Sequence, residues 1–175
     1  MKKKKQIFTD MAIPNLMIDY SKIPVEEWSR SLNIKWSYDL DSLVFNPYRE
    51  EKFYEEDTNF LIGVVKMNEL FNSINKSHQL KGSDIWKYRD KDKINRAIDF
   101  WKKGGKMTPP LIDTLYNFLK SSKLPFMSFK NEIALRAGFH RFSVCCLVEL
   151  QELPVVAPYA SKGEIEEMLK TIRWV

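Results

Sequence analysis

Glu132-Ile133-Ala134-Leu135-Arg136-Ala137-Gly138-Phe139-His140-Arg141-Phe142-Ser143-Val144-Cys145-Cys146-Leu147-Val148 is the stretch on which the reading of the fold turns. From Glu132 to Ala137 polarity alternates, as it does along a half-buried strand. From Phe142 to Val148 the chain is apolar on nearly every side, the pattern of a buried helix. Gly138 to Arg141 joins the two as a tight strand-to-helix turn carrying a histidine and an arginine. Free backbone N–H groups, the positive end of a helix dipole and a guanidinium meet at such a turn, a combination that suits a phosphate or another anion. The same four residues also fit a plain glycine turn with two surface side chains.

Working outward, strand and helix signals alternate from residue 60 onward. Phe60 to Met67 is rich in β-branched residues and predicts a strand, and Asn68 to Asn75 a short helix or turn. Asp92 to Lys103 predicts a helix with Ile94, Ala97, Ile98 and Trp101 at i, i+3, i+4 and i+7, stopped by Gly104-Gly105. Leu111 to Leu119 reads two ways: a helix capped by Thr108 with the stripe Ile112, Leu115, Tyr116 and Leu119, or a strand beginning at Leu111-Ile112. Pro125 to Arg136 predicts a hairpin turning near Lys130-Asn131. Leu153 to Val156 predicts a short strand with Pro154 and Pro158 closing its ends. Ser161-Lys162-Gly163-Glu164 has the pattern of a capping box, opening a last helix with Ile165, Met168, Leu169 and Ile172 on its core face.

Residues 1–59 read differently, as an irregular aromatic-rich N-terminal extension to a domain over 60–175. The extension carries Trp28, Trp36, Tyr38, Phe45, Tyr48, Phe53 and Tyr54, and an acidic cluster of Glu50, Glu51, Glu55, Glu56 and Asp57. So many rings argue against disorder and for packing on the main body or on a partner. Pro24 is placed to open a short helix as its first residue.

The hydrophobic fraction of 44% is enough for a core, and no apolar run is long enough to span a membrane. The segment after Met1 is interrupted by Thr9, Asp10 and Pro14, so it does not read as a secretory signal. The only two cysteines, Cys145 and Cys146, are adjacent and cannot staple distant segments, which fits a reducing cytoplasm. They read as packing residues of a buried helix. Of the net charge of +5, four charges are Lys2 to Lys5, leaving the body nearly neutral. That run reads as a solvated tail, with non-specific contact to DNA backbone as its functional alternative.

The order strand, helix, Gly104-Gly105, Thr108-Pro109-Pro110-Leu111-Ile112, hairpin, Gly138-Phe139-His140-Arg141, apolar helix and Leu153-Pro154-Val155-Val156 resembles the ParB/sulfiredoxin-like superfamily over roughly residues 60–158. The resemblance implies an α/β (α+β) domain, a small mixed sheet with helices packed around it. It also implies a nucleotide-phosphate pocket at the glycine turn, taking CTP or ATP with magnesium, and a DNA-associated or regulatory role. The residues it singles out are Gly138, Phe139, His140 and Arg141. Lys106 and Thr108, in a segment that lies near this turn in the family, form a second rank. Phe139 departs from the pattern, for it occupies the slot of a cysteine in sulfiredoxins and of a glutamate in ParB-type nucleotidases. A phenyl ring is neither nucleophile nor proton acceptor. It is expected to exclude water from the phosphates, which favours binding over hydrolysis.

Two other function classes stay open. One is a nucleotide-dependent enzyme, a small-molecule kinase or a nuclease, whose carboxylate comes from Glu69, Asp84, Asp90 or Asp92. The other is a protein–protein interaction module using the aromatic extension. His78 and His140 lie far apart without paired ligand spacing, so no structural metal site is expected. His78 reads as part of a solvated loop. Trp86-Lys87-Tyr88-Arg89 reads either as rings packed with charges exposed or as a base-stacking surface. Lys102, Lys103 and Lys106 gather after the strong helix, placed for a phosphate or for the helix's own C-terminus.

Overall fold

The apolar run around Val155 and Val156 becomes the central strand of the molecule. The structure, a computed structural model, describes residues 18–40, 59–115 and 132–175. Its strands are β1 (Lys35–Trp36), β2 (Phe60–Lys66), β3 (Lys106–Met107), β4 (Leu111–Thr114), β5 (Ile133–Ala137), β6 (Glu152–Pro158) and β7 (Arg173–Trp174). Five of them form one mixed sheet in the order β5-β4-β6-β2-β7. In it β6 is antiparallel to β2 along its whole length, β4 is antiparallel to β5, and β4 meets β6 in parallel at Leu111 and Val156. The helices are α1 (Val25–Ser29), α2 (Met67–Ser73), α3 (Ser83–Tyr88), α4 (Lys91–Lys102), α5 (Phe139–Leu147) and α6 (Lys162–Met168). None among the described residues is long and apolar enough to cross a membrane.

Three local readings are corrected. The strand at Leu153 extends to Glu152–Pro158, with Pro154 inside it opposite Val64. Val156 donates its N–H to Pro110 on the β4 side, so Pro154, two residues earlier, turns its missing N–H to the same side. There β4 has not yet begun, so no ladder bond is lost. The capping box is not made, because the Ser161 hydroxyl donates to the buried Asp113 carboxylate at 2.6 Å instead. Helix α6 starts at Lys162 and ends at Met168, so of the expected face Leu169 and Ile172 lie beyond its end, while Ile165 and Leu169 are buried. Pro24 stands one position earlier than expected, as the N-cap of α1.

The ambiguous Leu111 segment is a strand. Pairing on both sides decides it, with the whole of Leu111–Thr114 buried between β5 and β6. Helix α4 buries the expected stripe of Ile94, Ala97, Ile98 and Trp101. Against it packs the described part of the aromatic extension. Tyr20 donates its backbone N–H to Asn95 and its hydroxyl to Asp99, the latter at 2.6 Å. Trp36 meets Trp101 edge-on at 5.3 Å, and the Trp101 indole N–H donates to the Lys35 carbonyl at 3.0 Å. Tyr20 and Trp28 are both buried in the same core as α4. Strand β1 pairs in parallel with β3, which ties the extension to the segment that follows α4.

Lys2 to Lys5, the acidic cluster from Glu50 to Asp57 with its neighbouring rings, Tyr116 to Leu119 and the turn near Lys130-Asn131 lie outside the described residues.

Candidate anion-binding groove

Gly138 sets up the site. Its backbone is left-handed (φ 86°, ψ 21°), and it ends β5 and caps α5 in a single residue. Glycine has no side chain to cap a helix. The first-turn N–H groups of Phe139, His140 and Arg141 therefore have neither an intrahelical acceptor nor a side-chain cap. Gly138 also makes room for Arg141. A Cβ at position 138 would stand 2.9 Å from the Pro110 Cα and 3.0 Å from a terminal nitrogen of the Arg141 guanidinium. The guanidinium folds back over its own turn and donates to the Thr108 carbonyl at 2.5 Å. Turn and proline segment are thereby locked together.

Between this turn, α4 and β3 lies an open groove of about 580 Å³. From the sequence-derived set, Gly138, His140, Arg141, Lys106 and Thr108 line it. Residues more than thirty positions apart are thus brought to one place. Helix α4 supplies Lys93, Arg96, Ala97 and Phe100, a stripe at i, i+3, i+4 and i+7 shifted by one residue from the buried one. The wall therefore carries Lys93, Arg96, Lys106 and Arg141, together with His140, and among the described residues no carboxylate. A chain whose body is nearly neutral concentrates positive charge here.

The side chains are held in place locally. Asp90 caps α4, accepting the Lys93 backbone N–H at 3.2 Å and pairing with its ammonium at 3.5 Å. Arg96 donates from Nε to the Asp92 carbonyl at 3.3 Å. Burial pushes the His140 pKa below its ordinary value of 6.5, and the charges of Lys93, Arg89 and Arg141 push it the same way against the pull of Asp90. His140 is therefore neutral at pH 7 and protonates more readily once an anion sits beside it. Arg141 is largely withdrawn from water, and desolvation is the main influence lowering its pKa. An arginine stays charged all the same.

Phe139 does not line the groove, so its ring does not stand over the place of the phosphates there as the resemblance led one to expect. Its ring lies 4.8 Å from the His78 ring and 5.5 Å from the Arg89 guanidinium. Arg89 approaches His78 Nδ1 at 3.0 Å, and since arginine can only donate, that nitrogen accepts. His78 is thus half-buried packing and not a solvated loop residue. Burial, then the Arg89 charge, lower its pKa. Of the rings in the Trp86 to Arg89 segment, Trp86 packs against the core as the packing reading expects, whereas Tyr88 is exposed under Lys87.

The remaining candidates are placed elsewhere. Lys102 lies over the Tyr20 ring at 5.3 Å, and neither it nor Lys103 lines the groove. Glu69 accepts the backbone N–H groups of Lys170 and Thr171 and the Thr171 hydroxyl, fastening the turn before β7. Asp84, Asp90 and Asp92 are exposed and, like Glu69, do not line the groove. Burial pushes the Cys146 thiol up to about 12 and holds that of the fully buried Cys145 well above its ordinary range, so both stay protonated.

Lys93, Arg96 and Phe100 were missed in the sequence although their signal was present there. They occupy i, i+3 and i+7 on one face of the clearest helix, beside its core stripe.

The fold and groove define a mixed α/β protein with a basic cleft at a glycine-capped helix. The chain matches no protein-family model, no curated protein and no solved structure.

Proposed function

We propose that the groove binds a phosphate-bearing ligand, a nucleotide or another phosphate compound, and that the body is a ParB/sulfiredoxin-like domain acting by binding and not by turnover. The carrying observation is the lining itself: Lys93, Arg96, Lys106, His140 and Arg141 around uncapped helix N–H groups, with no carboxylate among the lining residues. Phosphate oxygens are met there by point charges, by a helix N-terminus and by hydrogen-bond donors, each of which favours an anion. Binding without turnover is supported by the lining, which among the described residues offers no carboxylate base, and by the protonated state of both thiols. Magnesium, where it enters, comes with the ligand's phosphates, since the described lining residues include no carboxylate to hold it.

Isothermal titration of tripolyphosphate, ATP and CTP into the protein tests this. Arg96→Ala is the informative variant, since Arg96 is exposed and bonds only within its own helix turn. It should weaken binding by about 1.5–3 kcal/mol, roughly 10- to 140-fold, with no change in folding. Equal affinity in the variant, or no affinity for any phosphate compound in the parent, rejects the reading.

A further inference from the structure

Phe100 is out of keeping with its helix. The other large apolar residues of α4 are buried, yet Phe100 is 45% exposed and stands on the wall of the cationic groove. Its ring is nonetheless held in place. The Gly105 N–H donates to the Phe100 carbonyl at 2.9 Å, and the ring lies over the Gly105 Cα so closely that an added Cβ would be 2.3 Å from its Cε1. Glycine at 105 is what lets the ring occupy this position. Arg96 and Lys93 lie four and seven residues before it on the same face, about 6 and 10 Å away along the helix axis. A sugar and its phosphates span such a distance.

We propose that Phe100, backed by Gly105, is a stacking platform for a nucleobase, so that the groove's ligand is a base joined to phosphate and not a bare phosphate. This rests on the phosphate reading of the same groove and names its ligand class. A ring pinned against Gly105 on one side and 45% exposed gives a base an aromatic surface to stack on at little cost in ordering. The groove's volume lies within the range of small-molecule sites. The base source is either a free nucleotide or one unit of a single strand, and the chemistry is the same for both.

The test compares dissociation constants of tripolyphosphate, the four nucleoside triphosphates and a short single-stranded oligonucleotide, at one ionic strength, for the full chain, Phe100→Leu and Gly105→Ala. In the parent at least one base-bearing ligand should bind about 5- to 140-fold more tightly than tripolyphosphate. Both variants should lose that margin and keep their affinity for tripolyphosphate. Gly105→Ala retains the phenyl ring and only displaces it, whereas Phe100→Leu removes it, so a loss of the margin in both variants ties it to the placed ring. A margin seen only with the oligonucleotide supports the platform and assigns the base to a strand; a margin seen with triphosphates assigns it to a free nucleotide. Equal binding of all ligands, unmoved by either variant, overturns the platform and leaves the phosphate reading standing. A parent that binds neither tripolyphosphate nor any nucleotide overturns the phosphate reading and the platform with it.

Discussion

Gly138→Ala should damage both the fold and the groove, and the size of the effect can be worked from its surroundings. The backbone at 138 is left-handed, which costs an L-residue roughly 1–2 kcal/mol. The new methyl would press at 2.9 Å on the Pro110 Cα, a backbone atom just before β4, and at 3.0 and 3.2 Å on the Arg141 guanidinium. Only the guanidinium can move, and moving it breaks its bond to the Thr108 carbonyl. A hydrogen bond to a charged group contributes about 1.5–3 kcal/mol. The total is about 2.5–5 kcal/mol. Gly104→Ala is the internal control. Its φ is +81°, yet nothing lies within 4 Å of the added Cβ, so it should cost only the backbone share, roughly 1–2 kcal/mol. Urea denaturation read at unchanged m-value measures both. Equal losses for the two variants would show that the contacts around Gly138 carry no energy and would refute the locked turn.

Trp101→Ala should cost about 3–5 kcal/mol, because the indole is fully buried, meets Trp36 and bonds the Lys35 carbonyl; a loss below about 1 kcal/mol in chemical denaturation contradicts that packing. His78 and His140 both have folded-state pKa values below the ordinary 6.5, so the unfolded chain binds more protons between those values. Stability should therefore be complete above about pH 6.5 and fall as pH drops through the folded-state values, and a flat profile in melts from pH 7.5 to 5 counts against the two environments. Anion binding should raise the His140 pKa, so affinity for phosphate compounds should tighten as pH falls from 7.5 towards 6 and the complex should take up protons, measurable from the buffer dependence of the binding heat. Glu69→Ala should loosen the turn at Lys170 and Thr171 and cost about 1–3 kcal/mol, with groove affinity unchanged; an unaltered denaturation midpoint would contradict that role.

Local pattern carried much of the fold. The α4 stripe, β2, the strand–glycine–helix at 133–147 and an apolar central strand were each legible because periodicity reports which face is buried. Pairing was not legible. Leu111 could be helix or strand until β5 and β6 were placed on either side of it, and Pro154 looked like a terminator until its N–H side was seen to face no neighbour. Ser161 was drawn away from a local cap by Asp113, forty-eight residues distant, which no local rule can anticipate. At the candidate groove, the glycine turn and the Lys106 to Thr108 segment were legible from order and spacing. The orientation of Phe139 was not, since it depends on where His78 and Arg89 fold. The contribution of α4 was not legible as a site, because that helix shows a core stripe in the sequence and only the folded position of β3 and the glycine turn makes the neighbouring face of Lys93, Arg96 and Phe100 a wall.

The most direct test of the basic groove is a residue-resolved titration. Addition of tripolyphosphate to isotope-labelled protein, followed by amide chemical shifts, should move Phe139, His140, Arg141, Lys93, Arg96 and Lys106 together, with one dissociation constant that weakens as salt rises. Shifts absent from these residues, or gathered instead around Lys170 and Thr171 on the far end of Glu69, would contradict it.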